Sequence, residues 1–344
     1  MIPRPQNEKS ADSRRSPAAV PAAHPPIEES LTMPHEFDLI DRLRRATPAN
    51  VRVPVGIGDD AAVLDWSANP QCLVTVDMLM EGVDFTRDSA TPEQIGRKSL
   101  AVNLSDIAAM AGKPVACVVA VSLPRDGGFE LGQRLHTGLA ALADEFGVAI
   151  AGGDTNTWDG PLVLSITVLG EPTGRGPVLR SGAKPGDWVF VTGELGGSIL
   201  GHHLDFTPRV REAQILNDAV ELHSLIDISD GLAADLGHIL EESRVGAILD
   251  ATAIPLSPAA FELAGRDGRT PLDHALGDGE DFELIFSVSA QDGERLLKSP
   301  GLATRLTQIG KIVATPGLFL RTADGQTAPL NEAGWKHGFT PHAE

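Results

Sequence analysis

Apolar positions along the chain change period repeatedly, and each change marks an element. Over 37–46, Phe37, Ile40 and Leu43 fall at helical spacing before Pro48, which predicts a short helix. A glycine loop containing Asp59 and Asp60 follows, then a β-rich run over 73–76 expected to close on Asp77. Residues 92–111 place Leu100, Leu104, Ile107 and Ala111 on one helical stripe. A strand is expected over 115–123. The clearest helix spans 130–146, with Leu131, Leu135, Leu139, Leu142 and Phe146 in line. A strand over 148–151 is expected to break at the pair Gly152 and Gly153, and another covers 162–169. The proline- and glycine-rich stretch 171–186 reads as a domain boundary. Beyond it come a strand over 188–192, a glycine-rich loop over 193–201, and the run 226–231. That run leads into a helix through Leu232, Leu236, Ile239 and Leu240; further strands fit 247–250 and 282–288. Strands and helices alternate without a regular βαβ period, and no short repeat is visible. The pattern therefore predicts two α/β or α+β domains rather than one doubly wound sheet.

Composition narrows the function. The 344 residues include 47 acidic and 28 basic ones, a net charge of −19. That balance argues against a nucleic-acid binder, which needs basic patches to meet phosphates. It suits a protein that gathers divalent cations, although an acidic surplus is commonly just solvated surface. The two cysteines, Cys72 and Cys117, each stand in an apolar run and read as small buried hydrophobes, with no metal-ligand spacing. A reducing, cytoplasmic setting is the expectation. No apolar run is long enough to span a bilayer. Residues 1–33 hold prolines, alanines and mixed charges without an apolar stretch, so a disordered extension is expected there rather than a signal peptide.

The placement of the aspartates is the informative feature. Asp59 and Asp60 lie in a glycine loop, Asp77 closes a strand, Asp106 sits in a helix and Asp154 follows paired glycines. Asp227 and Asp230 flank Ser229 just before a helix. Strand ends and glycine turns are where a fold presents groups to a ligand. Carboxylates beside apolar runs are costly to bury unless something neutralises them. Several of them without histidine or cysteine partners point to magnesium over zinc. Singly, each has a plainer reading: Asp230 as a helix N-cap, Asp106 as a half-exposed helix position, the others as turn residues. The segment from Gly56 to Ala61 nearly matches a dinucleotide-binding turn, but Asp59 and Asp60 would repel a pyrophosphate. The phosphate loop with a terminal Lys and the protein-kinase motif set are both missing from the sequence.

Taken in order, the motifs resemble those of thiamine-monophosphate kinases. They are the segments 56–63, 76–85 and 96–110 (ending Asn-Leu-Ser-Asp-Ile-Ala-Ala-Met), Ala151-Gly-Gly-Asp-Thr155, 180–187 and 191–193, Asp227-Ile-Ser-Asp-Gly-Leu232, Gly279-Glu-Asp-Phe-Glu-Leu284, and Gly334-Trp335. The resemblance covers about residues 34–340. It implies the two-domain fold of aminoimidazole ribonucleotide synthetase: an α/β domain over 34–170 whose strands build a dimer barrel, then an α+β domain over 171–344. It also implies direct transfer of the ATP γ-phosphate to thiamine monophosphate by a homodimer, with several magnesium ions. Matching positions would place Asp60, Thr75, Val76 (through its carbonyl), Asp77, Asp106, Asp154, Asp227 and Asp230 at the metals. Gly153, Asp154, Arg180 and Ser229 would meet the nucleotide, with Asp106, Asp154 and Arg180 serving catalysis. Asp84, Glu280 and Trp335 would lie at the thiamine moiety.

General chemistry agrees with these roles. Both reactants are anionic, so metals are needed to cancel their repulsion. A phosphate acceptor is already ionised at neutral pH, so no strong base is required. Arg180 offers a planar donor fork suited to phosphate oxygens, and Trp335 a face for a cationic ring. The sequence departs from the family pattern at Asp84 (often histidine), Asp278 (often glycine) and Phe282 (often tyrosine). Two alternatives follow: another ATP-using synthetase of the superfamily, or an acidic metal-binding protein without catalysis. The first is opposed by the lack of a cysteine before Cys72 and by the ending at Pro341–Glu344; the second by the complete set of matching carboxylates.

Overall fold

The computed structural model describes residues 36–57, 64–66, 71–298, 301–330 and 334. The expectations for residues 1–33, Asp60 and Trp335 therefore lie outside the described residues. Residues 34–344 belong to one unit, in which each half of the chain builds its own sheet. In the first half, α1 (Glu36–Ala46) precedes β1 (Leu73–Met80), α2 (Pro92–Ala109), β2 (Gly112–Pro124), α3 (Gly128–Phe146), β3 (Ala149–Trp158) and β4 (Val163–Pro172). The strands lie in the order β1-β4-β2-β3, antiparallel except for the β2–β3 pair, whose crossover is α3.

Helix α2 is the hub. Thr91 and Gln94 form a capping box at its start, and Pro92 occupies the first turn, where a missing N–H costs nothing. The single apolar stripe expected from the sequence is too narrow a description. Residues from Ile95 to Ala108 are buried on nearly every side, including the polar Lys98, Ser99, Asn103 and Ser105. Two glycines bring α3 close. A Cβ on Gly96 would stand 1.9 Å from the Leu135 carbonyl oxygen, and one on Gly138 would stand 1.8 Å from that of Glu93. Backbone meets backbone at this crossing, which only glycine permits.

The second half begins with β5 (Trp188–Thr192), a 3₁₀ turn (Ser198–Leu200), α4 (His202–Asp205), α5 (Val210–Ala219), β6 (Leu222–Asp227) and α6 (Leu232–Ser243). It continues with β7 (Gly246–Asp250), α7 (Pro258–Asp267), α8 (Pro271–Gly277), β8 (Leu284–Val288), α9 (Ala290–Lys298), β9 (Leu306–Val313), β10 (Gly317–Arg321) and β11 (Thr327–Pro329). Its seven strands run β11-β10-β7-β9-β5-β8-β6. One face packs Leu232, Leu236, Ile239 and Ile285 into a core of its own. The other presents Phe190, Leu225 and Phe286 to a cluster that continues through Phe206 into Leu100 and Leu104 of α2. The halves thus share one core, with α2 between them.

Two expected strand ends are corrected. β1 does not stop at Asp77 but runs to Met80, paired with β4 throughout. β3 does not break at Gly152 and Gly153 but continues to Trp158 alongside β2. In both cases cross-strand pairing overrides a local turn signal. The cysteine expectation holds for Cys117, which is buried, and fails for Cys72, which is exposed. No helix among the described residues is long and apolar enough to cross a membrane.

Candidate active site

Three carboxylates meet where α2 packs between the two halves. Strand alternation turns Thr75 and Asp77 to the α2 side of β1. The Thr75 hydroxyl donates to the Asp106 carboxylate, and Asp77 and Asp106 share a hydrogen bond. Asp227 ends β6 and is buried; the Ser105 hydroxyl, one residue before Asp106, donates to it at 2.5 Å. Burial, then Asp106 and Asp227, push the Asp77 carboxyl up to about 7. Burial and the Asp106 charge bring Asp227 to about 7 as well. Asp106 is raised by burial, opposed by the Thr75 hydroxyl, the positive charge of Arg180 and the bond to Asp77. Arg180 itself is exposed.

This donor set fits magnesium. Hydroxyl and carboxylate oxygens are the ligands a hard cation takes, and acids held near one another in a partly dry site need a positive partner. Thr75, Asp77, Asp106 and Asp227 are therefore the residues that would hold it. Val76 is different: its side chain points to the opposite, exposed face of β1, so only its backbone is available.

A second acidic group forms at the start of α6. Ligand atoms of Asp230, Asp235 and His238 lie within 4.8 Å of one another. Asp230 is not the N-cap; Gly231 takes that position, and Asp235 accepts the Asp230 and Gly231 N–H groups at 3.0 Å each. Burial, then Asp227, push Asp235 up to about 7. Ser229 lies in the chain between Asp227 of the first group and Asp230 of the second.

Asp154 and Gly153 lie on β3, at the sheet edge opposite β1. Asp154 is exposed, and among the described residues it has no hydrogen bond or ion pair with the Thr75–Asp77–Asp106–Asp227 group. A Cβ on Gly153 would lie 1.9 Å from the Val119 carbonyl oxygen, so the β3 backbone is pressed onto β2 there.

Asp84 and Glu280 are brought together by a residue the sequence reading passed over. Lys98 reaches the Asp84 carbonyl oxygen at 2.8 Å and the Glu280 carboxylate at 2.6 Å. A lysine beside an arginine reads as surface in sequence; the usable signal was its spacing of seven from Ser105, which places both on one face of α2. The acids around Glu280 have partners of their own. Asp281 is buried with both oxygens 3.0 Å from Gly196 N, and burial pushes its carboxyl well up. Glu283 binds Arg209. Asp278, a departure from the family pattern, accepts from Gly197 N at 3.1 Å and from Arg269 at 2.9 Å, and bonds His274 Nδ1 at 2.8 Å. Phe282 stacks on Phe206 with centroids 4.1 Å apart.

The two halves match the family of AIR synthase related proteins. The N-terminal domain of that family matches residues 58–171 and the C-terminal domain residues 184–322. Full-length comparison is more specific. Thiamine-monophosphate kinase of Rhodopirellula baltica is 44% identical over 312 residues, covering 89% of this chain and 98% of that protein. The crystal structure of thiamine-monophosphate kinase from Stenotrophomonas maltophilia is 39% identical with a TM-score of 0.73, covering 85% of this chain and 98% of that one. AaThiL complexed with AMPPCP and TMP is 29% identical with a TM-score of 0.69, covering 90% of this chain and 100% of that one. The chain belongs to the thiamine-monophosphate kinase family.

Proposed function

We propose that the protein transfers the γ-phosphoryl group of ATP directly to the phosphate of thiamine monophosphate, giving thiamine diphosphate and ADP. A substrate phosphate oxygen forms the new bond to the γ-phosphorus as the bond to the bridging oxygen of ADP breaks in line. The acceptor is already ionised, so no side chain need remove a proton. The observation that carries this reading is the group Thr75, Asp77, Asp106 and Asp227, whose acids crowd together at the junction of the two halves. Several magnesium ions, when bound there and at Asp60, Asp154 and Asp230, would supply the positive charge that lets two anionic reactants meet. Arg180 adds a guanidinium fork from the exposed side, where its charge already reaches Asp106 and Asp227. Gly153 and Ser229 complete the nucleotide side, while Asp84, Glu280 and Trp335 form the thiamine side. Residues 34–170 and 171–344 serve as the two domains of a cytoplasmic enzyme.

The test is a coupled assay with purified protein, ATP, thiamine monophosphate and magnesium, run beside a chelated control. ADP should form only with both substrates and the metal present. No ADP in the complete mixture rejects the kinase reading.

A homodimer is part of the same proposal. β1 is an edge strand, and its outward face carries Val74, Val76, Met78 and Met80, which are 62%, 60%, 60% and 40% exposed. Such an apolar edge invites another chain unless it is covered. A second copy, presenting the same stripe, covers it in a self-complementary contact. Val76→Glu should shift the protein from dimer to monomer in light scattering at micromolar concentration. A variant with unchanged mass would place the contact elsewhere.

A further inference from the structure

Lys98, the cation buried in α2, takes part in none of the steps above. Its side chain is 0% exposed, and its Nζ donates to Glu280 and to the Asp84 carbonyl. An ammonium removed from water is costly unless it is paired and hydrogen-bonded, and a buried pair fixes geometry more dependably than it adds stability. Both acceptors here belong to separate turns. Asp84 closes the turn after β1, with its carboxylate accepting from Met80 N at 2.7 Å. Glu280 lies in the loop before β8 at φ 63°, a left-handed conformation that a non-glycine residue keeps only when its surroundings hold it. Its own N–H donates to the Ser229 carbonyl at 2.8 Å. Contacts therefore run in sequence from the Asp84 turn through Lys98 and Glu280 to the Ser229 loop. Two turns further along α2, Ser105 makes the parallel link to Asp227.

We propose that Lys98 is a positioning residue: it locks the Asp84 turn to the Glu280 loop across the junction of the two halves, and so shapes the face that receives thiamine monophosphate. This rests on the kinase reading given above. Because Lys98 already neutralises Glu280, the acid left to attract the cationic thiazolium is Asp84. Loss of Lys98 then acts mainly on thiamine monophosphate, whose two turns it joins directly, and much less on the nucleotide, which it reaches only through Glu280 N–H and the Ser229 carbonyl.

The experiment is titration calorimetry on the full chain. Thiamine monophosphate and, separately, AMPPCP with magnesium are titrated into wild type, Lys98→Met and Lys98→Gln, with thermal melts alongside. Lys98→Met should weaken thiamine monophosphate at least about tenfold while nucleotide affinity stays within about twofold, since small misplacements of a positioning turn cost that much. Unchanged affinity for thiamine monophosphate, or equal weakening of both ligands, overturns the proposal; a lower melting temperature alone does not support it. Should Lys98→Met fail to fold, Lys98→Gln carries the test, because it keeps a donor but removes the charge from the bond. It should weaken thiamine monophosphate by about fivefold and leave the nucleotide nearly unaffected, the difference between a charged and a neutral hydrogen bond; no change, or equal losses, again overturns the role. ADP formation by wild type is read independently. A wild type that binds both ligands without making ADP sinks the kinase reading while the comparison of affinities still decides on Lys98. A wild type that binds no thiamine monophosphate sinks both.

Discussion

Asp106→Asn is expected to lower turnover at least about a hundredfold, the scale of losing a major transition-state charge stabiliser. The protein should nonetheless fold as well as wild type, or better, without divalent ions. Asp106 contributes negative charge beside Asp77 and Asp227, and burial makes that crowding more costly. The amide retains an oxygen for the Thr75 hydroxyl and gains an N–H for Asp77, so the hydrogen bonds have replacements. What disappears is repulsion from Asp77 and Asp227, against which the lost attraction to the exposed, water-screened Arg180 is small. If about 1 kcal/mol of that repulsion is relieved, the magnesium-free melting temperature rises by roughly 1–2 °C in a protein of this size. Magnesium should then stabilise wild type more than the variant. Steady-state assays and melts with and without magnesium check both halves of the expectation. Near-normal turnover would remove Asp106 from the catalytic group, and a large fall in melting temperature would mean that its charge is matched by a cation in the folded protein.

The acids of this site were legible in the sequence because they interrupt apolar runs. Asp77 within β1 and Asp227 at the end of β6 sit where a core position would be expected, and an acid there calls for a reason. The local geometry was less legible. Thr75 and Asp77 face α2 because β1 stays extended as far as Met80, and that depends on pairing with β4, which lies almost ninety residues away in the chain. The same non-local pairing carries β3 through Gly152 and Gly153. Helix α2 was found from its leucines, but its burial on nearly all sides depends on the second half of the chain closing over it. Lys98 and Ser105 consequently had no assigned role until their partners Glu280 and Asp227 were in place. β9, β10 and β11 went unassigned because they alternate weakly, and β9 and β10 lean on strands distant in sequence.

The second large effect is expected at Arg209, behind the loop that carries Glu280. Glu283 is buried, and its carboxylate accepts from Arg209 Nε at 2.7 Å, Arg209 Nη2 at 2.5 Å and the Thr192 hydroxyl at 2.6 Å. The Arg209 side chain is itself only 17% exposed, so water does little to screen this fork. The same Thr192 oxygen accepts from Leu284 N at 2.9 Å, and the Glu283 carbonyl accepts from Ile228 N at 2.8 Å. Arg209 thus anchors the entry to β8 beside the Ser229 loop. Arg209→Met leaves a carboxylate buried without its cation, which costs about 3–5 kcal/mol. For a chain of 344 residues, the unfolding entropy per residue turns this into a fall in melting temperature on the order of 5 °C. The double variant Arg209→Met with Glu283→Met should recover most of that loss, because replacing both members of a buried pair by apolar groups is close to neutral. Melts of the single and double variants at one protein concentration decide the matter. If Arg209→Met melts within about 1 °C of wild type, less than about 1 kcal/mol rests on the pair, and Thr192 with the backbone suffices to hold the loop. If the double variant is worse than the single, Glu283 contributes through its other hydrogen bonds rather than through its charge.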